Sequence, residues 1–218
     1  MKIHAIEYGR SQLPESMVFA GGSENKYLEI AFLLYVVETM DRKVLIDAGC
    51  DDLPGFVLKN FVSPAKAMAD YGIPPEQISD VIITHAHHDH IDGLRYFPHA
   101  QIHIQKEEYS RGNAYIPETA SLNIFDQGSV VADCIAVGTI GGHTAGSSIA
   151  TVQIGNIRYI FGGDECYLPI CLERNIPTGC SHNKEASQAF LSRFRGPNDR
   201  VLLTHDTQIH TGIITERI

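Results

Sequence analysis

The sequence predicts an α/β fold, on three observations. Apolar runs at 28–38, 43–46, 81–83, 157–161 and 201–203 have the length and composition of buried strands. Segments with helix start and stop signals stand between them. Several of the strands end directly on a histidine or an aspartate. No repeat, low-complexity tract or linker divides the chain, so residues 1–218 read as one domain.

Residues 2–8 alternate as a strand, with His4 exposed or hydrogen-bonded rather than a ligand. The stretch 9–26, with Pro14, Gly21 and Gly22 among polar residues, reads as a long loop. Its apolar tip, Met17-Val18-Phe19, is expected to fold back on the core or to cover a pocket or a partner subunit. The runs 28–38 and 43–46 form a hairpin about Met40-Asp41-Arg42 and end on Asp47. Ser63 caps a short amphipathic helix that has Pro64 at its first position and Gly72 past its end. Pro74-Pro75 breaks the chain before strand 81–83, and a helix is expected from near Asp89 through Leu94. Residues 101–105 alternate as a strand, with His99 and His103 set aside as surface or supporting groups. The polar stretch 106–128 holds a helix about 107–111 and then a loop. A strand over 130–137 precedes His143, 157–161 precedes Asp164, and 201–203 precedes His205. Asn183 caps a helix that reaches Arg195 and is stopped by Gly196-Pro197.

The 218 residues are 44% hydrophobic and 20% charged, enough for a substantial core. A formal net charge of −9 without a Lys/Arg cluster excludes nucleic acid and anionic membranes as attractive partners and favours a small-molecule substrate. No apolar run approaches the roughly 20 residues that span a bilayer, and the start, MKIHAIEYGR, lacks a signal peptide's apolar segment. The expectation is a cytoplasmic protein without membrane insertion. Five cysteines (Cys50, Cys134, Cys166, Cys171, Cys180) show no CxxC spacing, which argues for reduced thiols, with Cys166 a packed small hydrophobe.

The run Thr84-His85-Ala86-His87-His88-Asp89-His90 packs four imidazoles and a carboxylate into seven positions. Such a set suits zinc, iron, manganese or cobalt. His143, Asp164 and His205 also follow apolar strands, so sheets packed side by side bring them to a common edge. Counting donors puts His85, His87 and His143 on one ion and Asp89, His90 and His205 on a second, with the two oxygens of Asp164 bridging them. His88 points elsewhere. Asp47 is expected to orient a ligand imidazole.

On these residues the chain resembles the metallo-β-lactamase superfamily, whose ordered motifs are an Asp after a strand, HxHxDH, a His, an Asp and a final His. They correspond here to Asp47, His85 through His90, His143, Asp164 and His205. The resemblance implies an αβ/βα sandwich, two mixed β-sheets face to face with helices on the outer faces. It also implies a hydrolytic centre of two divalent ions, zinc first, with iron, cobalt or manganese as alternatives. Within the superfamily the chain is similar to the N-acyl-homoserine lactonases, through Ile78 to His85, Gly142-His143-Thr144, and Tyr167 three residues after Asp164. That likeness implies quorum quenching by opening of a lactone ring, with a metal-bridging hydroxide as nucleophile, Tyr167 facing the carbonyl and Asp89 or a metal-bound water supplying the proton. From the residues themselves, Tyr167 is equally readable as a packed aromatic. Ala145 departs from the Pro usual in the lactonase GHTPG stretch. Another cyclic ester, a cyclic amide, or the thioester of a glyoxalase II-like enzyme fits the same ligand set, and the sequence leaves the oligomeric state open, a homodimer included. The substrate pocket is expected from 9–26, 106–128 and 168–182.

Overall fold

The computed structural model describes residues 1–215. Strands β1 (Lys2–Pro14) and β2 (Tyr27–Glu38) form a long antiparallel pair with a bulge between Glu7 and Gly9. Strand β3 (Lys43–Ile46) pairs antiparallel to β2, and β4 (Asp80–Ile83), β5 (Gln101–Gln105) and β6 (Ser121–Phe125) continue the sheet in parallel. The second sheet holds β7 (Gly128–Val131), β8 (Ile135–Thr139), β9 (Ser148–Ile154), β10 (Ile157–Phe161) and β11 (Asp199–Leu202), antiparallel except for the β10–β11 pair. Strand β12 (Gly212–Ile213) returns to β1, giving the orders β12-β1-β2-β3-β4-β5-β6 and β11-β10-β9-β8-β7.

Strand β2 shows why its sequence is apolar almost throughout. Ala31, Leu33, Tyr35 and Val37 belong to the cluster between the sheets with Val137, Ala150, Val152 and Phe161. Ile30, Phe32, Leu34 and Val36 alternate to the opposite face and join Met68, Leu94 and Phe97 of the covering layer. Each fully buried aliphatic side chain of this kind contributes about 1.5–3 kcal/mol. Six α-helices complete the described residues: α1 (Glu15–Val18), α2 (Pro64–Tyr71), α3 (His88–Ile91), α4 (Lys106–Gly112), α5 (Pro169–Arg174) and α6 (Lys184–Arg193). The Ser63 hydroxyl accepts from Lys66 N–H at 3.2 Å to start α2, and Gly72 ends it at φ 97°. Asn183 caps α6 through Ala186 N–H at 3.1 Å, and Phe190 and Leu191 of that helix pack with Ile160. The architecture is the αβ/βα sandwich. No helix among the described residues is long and apolar enough to cross a membrane.

Several local expectations are corrected. Most of 9–26 is not a loop: β1 runs to Pro14, and only the segment beyond it turns, through α1. The polar residues that disguise this strand have partners elsewhere in the chain, Arg10 with Glu29 as well as its near neighbour Glu7, and Ser11 Oγ with Val57 O at 3.1 Å. The single strand over 130–137 is a hairpin, broken where Ala132 and Asp133 take φ 49° and 58°. The loop after α4 contains β6, whose outward residues are polar or exposed and so hide the pattern. The 168–182 stretch includes α5, and the helix expected through Leu94 tightens after Ile91 into a 3₁₀ turn over Asp92–Tyr96. His103 is buried, not at the surface, with Asp80 Oδ1 at 2.9 Å and Asn123 Nδ2 at 3.0 Å on its two nitrogens. Of the two readings of His4, exposed or hydrogen-bonded, the second is observed, since it is buried and hydrogen-bonded to Tyr71 and Glu38.

Candidate metal centre

The polar residues that follow the strands gather where parallel neighbours end together, β3 beside β4 and β10 beside β11. Ligand sites on α/β sheets form at such carboxyl ends. Asp47 follows β3, the Thr84 to His90 run follows β4, Asp164 follows β10, and His205 follows β11. His143 lies in the connection from β8 to β9. Backbone bonds knit the ends across the two sheets: Ser148 N–H donates to Thr84 O at 2.9 Å, and Ala31 N–H to His205 O at 3.1 Å. Gly163 sits at φ 51°, and a Cβ there would stand 2.8 Å from Thr84 Oγ1, so a glycine is needed to bring Asp164 over the run.

Two donor groups result. His87 Nδ1 lies 3.0 Å from both His85 Nε2 and His143 Nε2, and Asp164 Oδ2 is 3.7 Å from each of those Nε2 atoms. On its other side, Asp164 Oδ1 is 3.2 Å from His90 Nε2 and 3.3 Å from His205 Nε2. Asp89 Oδ2 is 3.8 Å and 3.7 Å from the same two nitrogens. One carboxylate thus turns an oxygen to each group. His90 Nε2, His205 Nε2 and Asp164 Oδ1 are buried without a hydrogen-bond partner. Leaving such atoms unsatisfied costs about 1–3 kcal/mol each. A cation in each group would satisfy them, and the nitrogen and oxygen donors are those a borderline divalent ion takes.

The imidazoles are held in the tautomer that this needs. Asp47 Oδ2 accepts from His90 Nδ1 at 2.8 Å and from Thr84 Oγ1 at 2.9 Å. With its proton committed to Asp47, the Thr84 hydroxyl accepts from His85 Nδ1 at 3.2 Å. His205 Nδ1 donates to Ala31 O at 2.9 Å. All three therefore turn Nε2, and not Nδ1, to the centre. Burial, and then the neighbouring imidazoles, hold His85 well below the ordinary histidine value, and burial lowers His143 to about 4. Burial alone would lower His90 and His205 too, but the Asp164 carboxylate raises both, with Asp47 and Asp89 adding to it at His90. Asp164 is held well below the usual carboxylate range, against its own burial, by His90 and His205.

Above the groups lies a cavity of about 160 Å³ that reaches His87, Asp89 and Tyr167 and is walled by Leu13, Met17, Ile30, Leu53, Phe56 and Cys180. Tyr167 stacks on His205 with centroids 5.1 Å apart and meets His143 edge-on at 5.9 Å. Burial and then the Asp164 charge push its phenol well above the ordinary value, so it faces the cavity as a neutral donor. His88 turns away, with Asp52 Oδ1 at 3.0 Å and Tyr115 OH at 3.3 Å on its nitrogens. The apolar walls Leu53 and Phe56, and two buried glutamates, Glu108 and Glu165, escaped the sequence reading. No periodicity or spacing marks a residue whose partners come only from other segments.

The model of the metallo-beta-lactamase superfamily matches residues 33–205, and the chain belongs to that superfamily. Among known proteins it is similar to the N-acyl homoserine lactonase AiiB of Agrobacterium fabrum, 21% identical over 140 residues, which cover 52% of this chain and 50% of that one. An N-acyl homoserine lactonase of Bacillus thuringiensis is 25% identical over 124 residues, 50% of each chain. The chain thus spans about half the length of the relatives it matches. Among solved structures, an N-acyl homoserine lactone hydrolase with the product N-hexanoyl-L-homoserine at its catalytic metal centre superposes with a TM-score of 0.82 at 19% identity, covering 95% of this chain and 94% of that chain. A probable metal-dependent hydrolase from Staphylococcus aureus gives 0.81 at 20% identity, covering 94% and 88%. These structural likenesses show the fold.

Proposed function

We propose that the protein is a dinuclear metal-dependent hydrolase that opens a lactone ring carrying an apolar substituent, an N-acyl-homoserine lactone or a similar cyclic ester. The observation that carries this reading is Asp164 turned to two donor groups beneath a cavity that also holds the Tyr167 ring. His85, His87 and His143 would hold one ion, Asp89, His90 and His205 the other, with Asp164 shared and zinc the first ion to test. When bound, such a pair supplies a hydroxide near neutral pH and polarises the scissile carbonyl.

The chain's own residues do the rest. Tyr167, kept neutral, donates to the carbonyl oxygen as negative charge develops there, a contribution of about 3–4 kcal/mol when donors are preorganised. Asp89 lies at the cavity wall, where it can take the proton of the hydroxyl group added to the carbonyl carbon and hand it to the ring oxygen as the bond between that oxygen and the carbon breaks. Leu13, Ile30 and Phe56 exclude water and receive the apolar substituent. A second groove of about 340 Å³, lined by Gln12, Pro14, Tyr27 and Val57, shares Met17 and Phe56 with the cavity and leaves room for a longer chain. The relatives named as N-acyl homoserine lactonases support the same substrate class.

The test is proton release by the metal-analysed protein with homoserine lactones of several chain lengths, simple γ- and δ-lactones, cyclic amides and a glutathione thioester. Turnover of the acylated lactones is expected. Turnover confined to the amides or the thioester would overturn the substrate class.

A further inference from the structure

The turn that carries His85 and His87 and the loop that carries His143 lie far apart in the chain, yet one side chain joins them. Glu108, on α4, is fully buried. Its Oε2 accepts from the backbone N–H of Ala86, between the two histidines, at 2.8 Å. Its Oε1 accepts from Thr144 Oγ1 at 2.6 Å and from Gly146 N–H at 2.9 Å, just past His143. Gln105 fixes where Glu108 stands, because its Oε1 caps α4 through Glu107 N–H and Glu108 N–H while its Nε2 donates to Asp126 O at 3.1 Å. The packing is tight enough to require a glycine: a Cβ on Gly146 would lie 2.2 Å from Gln105 Oε1 and 3.0 Å from Glu108 Cγ. Glu165 braces the opposite side of the same loop, accepting from Gly142 N–H, His143 N–H and Ser187 Oγ at 3.2, 3.0 and 3.1 Å.

We propose that Glu108 is a positioning residue for the first donor group, setting His85, His87 and His143 at the spacing one ion needs while touching neither ion nor substrate. The inference rests on reading the cluster as a dinuclear centre. Three donors converge on two carboxylate oxygens, and an amide has only one acceptor atom, so glutamine in this place would turn an N–H₂ toward an N–H. His90, Asp89 and His205 receive no bond from Glu108, so the second group is expected to be indifferent to its loss.

The test is a cobalt titration of metal-free protein followed by calorimetry and visible absorption, with thermal unfolding of the metal-free form alongside. Wild type should take two equivalents. In Glu108→Gln one equivalent should weaken on the order of 10- to 100-fold and the other stay unchanged. The absorption of the surviving equivalent should match that of His85→Ala, which identifies the group that was lost. Thr144→Val removes one donor and keeps the carboxylate. It should weaken the same equivalent by less, and it carries the test if the glutamine variant fails to fold. Wild-type affinities for both equivalents would overturn the proposal, as would equal weakening of both together with a lower melting temperature of the metal-free protein. A wild type that takes fewer than two equivalents would defeat the dinuclear reading itself, and the inference with it.

Discussion

Asp47 accepts a hydrogen bond from His90 Nδ1 at 2.8 Å while its own backbone is held at φ 59°. For an L residue that conformation costs about 1–2 kcal/mol, and aspartate is among the few that tolerate it. The strained turn aims the carboxylate at three donors, since Thr84 N–H and Oγ1 reach it at 2.8 and 2.9 Å. Asp47 therefore sets the imidazoles of His85 and His90 together. Replacing it with Asn keeps the size and the tolerance of positive φ but not the capacity to accept from every donor. Metal affinity is expected to fall about 10- to 100-fold. Calorimetric titration of Asp47→Asn checks it, and an unchanged dissociation constant would contradict it.

Tyr167→Phe keeps the ring stacked on His205 and removes only the hydroxyl. Lactone turnover should drop about 10²- to 10³-fold, as for loss of a single oxyanion donor, with the metal content unchanged. Steady-state kinetics beside metal analysis separates the two effects. Full activity would return Tyr167 to the role of a packed aromatic.

Metal binding should weaken with acid. His90 and His205 have raised values in the folded protein, so they hold a proton up to a higher pH than free histidine, and a cation must displace it. Affinity should climb as pH rises through those values and be lost as pH falls below them. Titrations in buffers of different ionisation heat would count the released protons, and a count of zero would contradict the assignment.

Asp80 gives a separate, metal-independent dependence on pH. Its burial would raise the carboxyl, but the hydrogen bonds from His103 and Ser79 and the charge of Arg42 hold it below the ordinary value. A depressed folded value means that the stabilisation is present above the unfolded value and lost as pH falls through the folded one. Metal-free protein should lose stability on acidification below about pH 4. Asp80→Asn should cost about 1–3 kcal/mol at neutral pH and flatten that acid limb in chemical unfolding.

Met17 and Phe56 stand where the cavity above the donor groups meets the outer groove. Truncating either to Ala should raise KM for long-chain acyl lactones about 10-fold, consistent with roughly 1–3 kcal/mol of lost apolar contact, and leave an unsubstituted γ-lactone nearly unaffected. Equal effects on both substrates would place the chain elsewhere.

The residues most legible in the sequence are those whose meaning is local. The Thr84 to His90 run is dense enough to stand out by itself, and β2, buried on both faces, is apolar almost without a break. The caps Ser63 and Asn183 act within their own helices. Strand β1 beyond Gly9 was hidden because Arg10 and Ser11 find their partners at Glu29 and Val57, so their polarity looks like a loop's. The wall of the cavity comes from β1, α1, β2, the segment after β3 and the one after α5, and nothing in any one of these predicts the others.

By itself the sequence determined the α/β class, the candidate donor atoms and their order, because strand periodicity and clustered imidazoles are written within a few residues of one another. Only the tertiary structure decided that Asp164 turns one oxygen to each group, that Asp47 selects the tautomer of His90, and that Glu108 bridges Ala86 to Thr144 and Gly146. Those relationships are hydrogen bonds and ångström-scale distances between segments remote in the chain. They exist only once two sheets have packed and fixed the ends of their strands against each other.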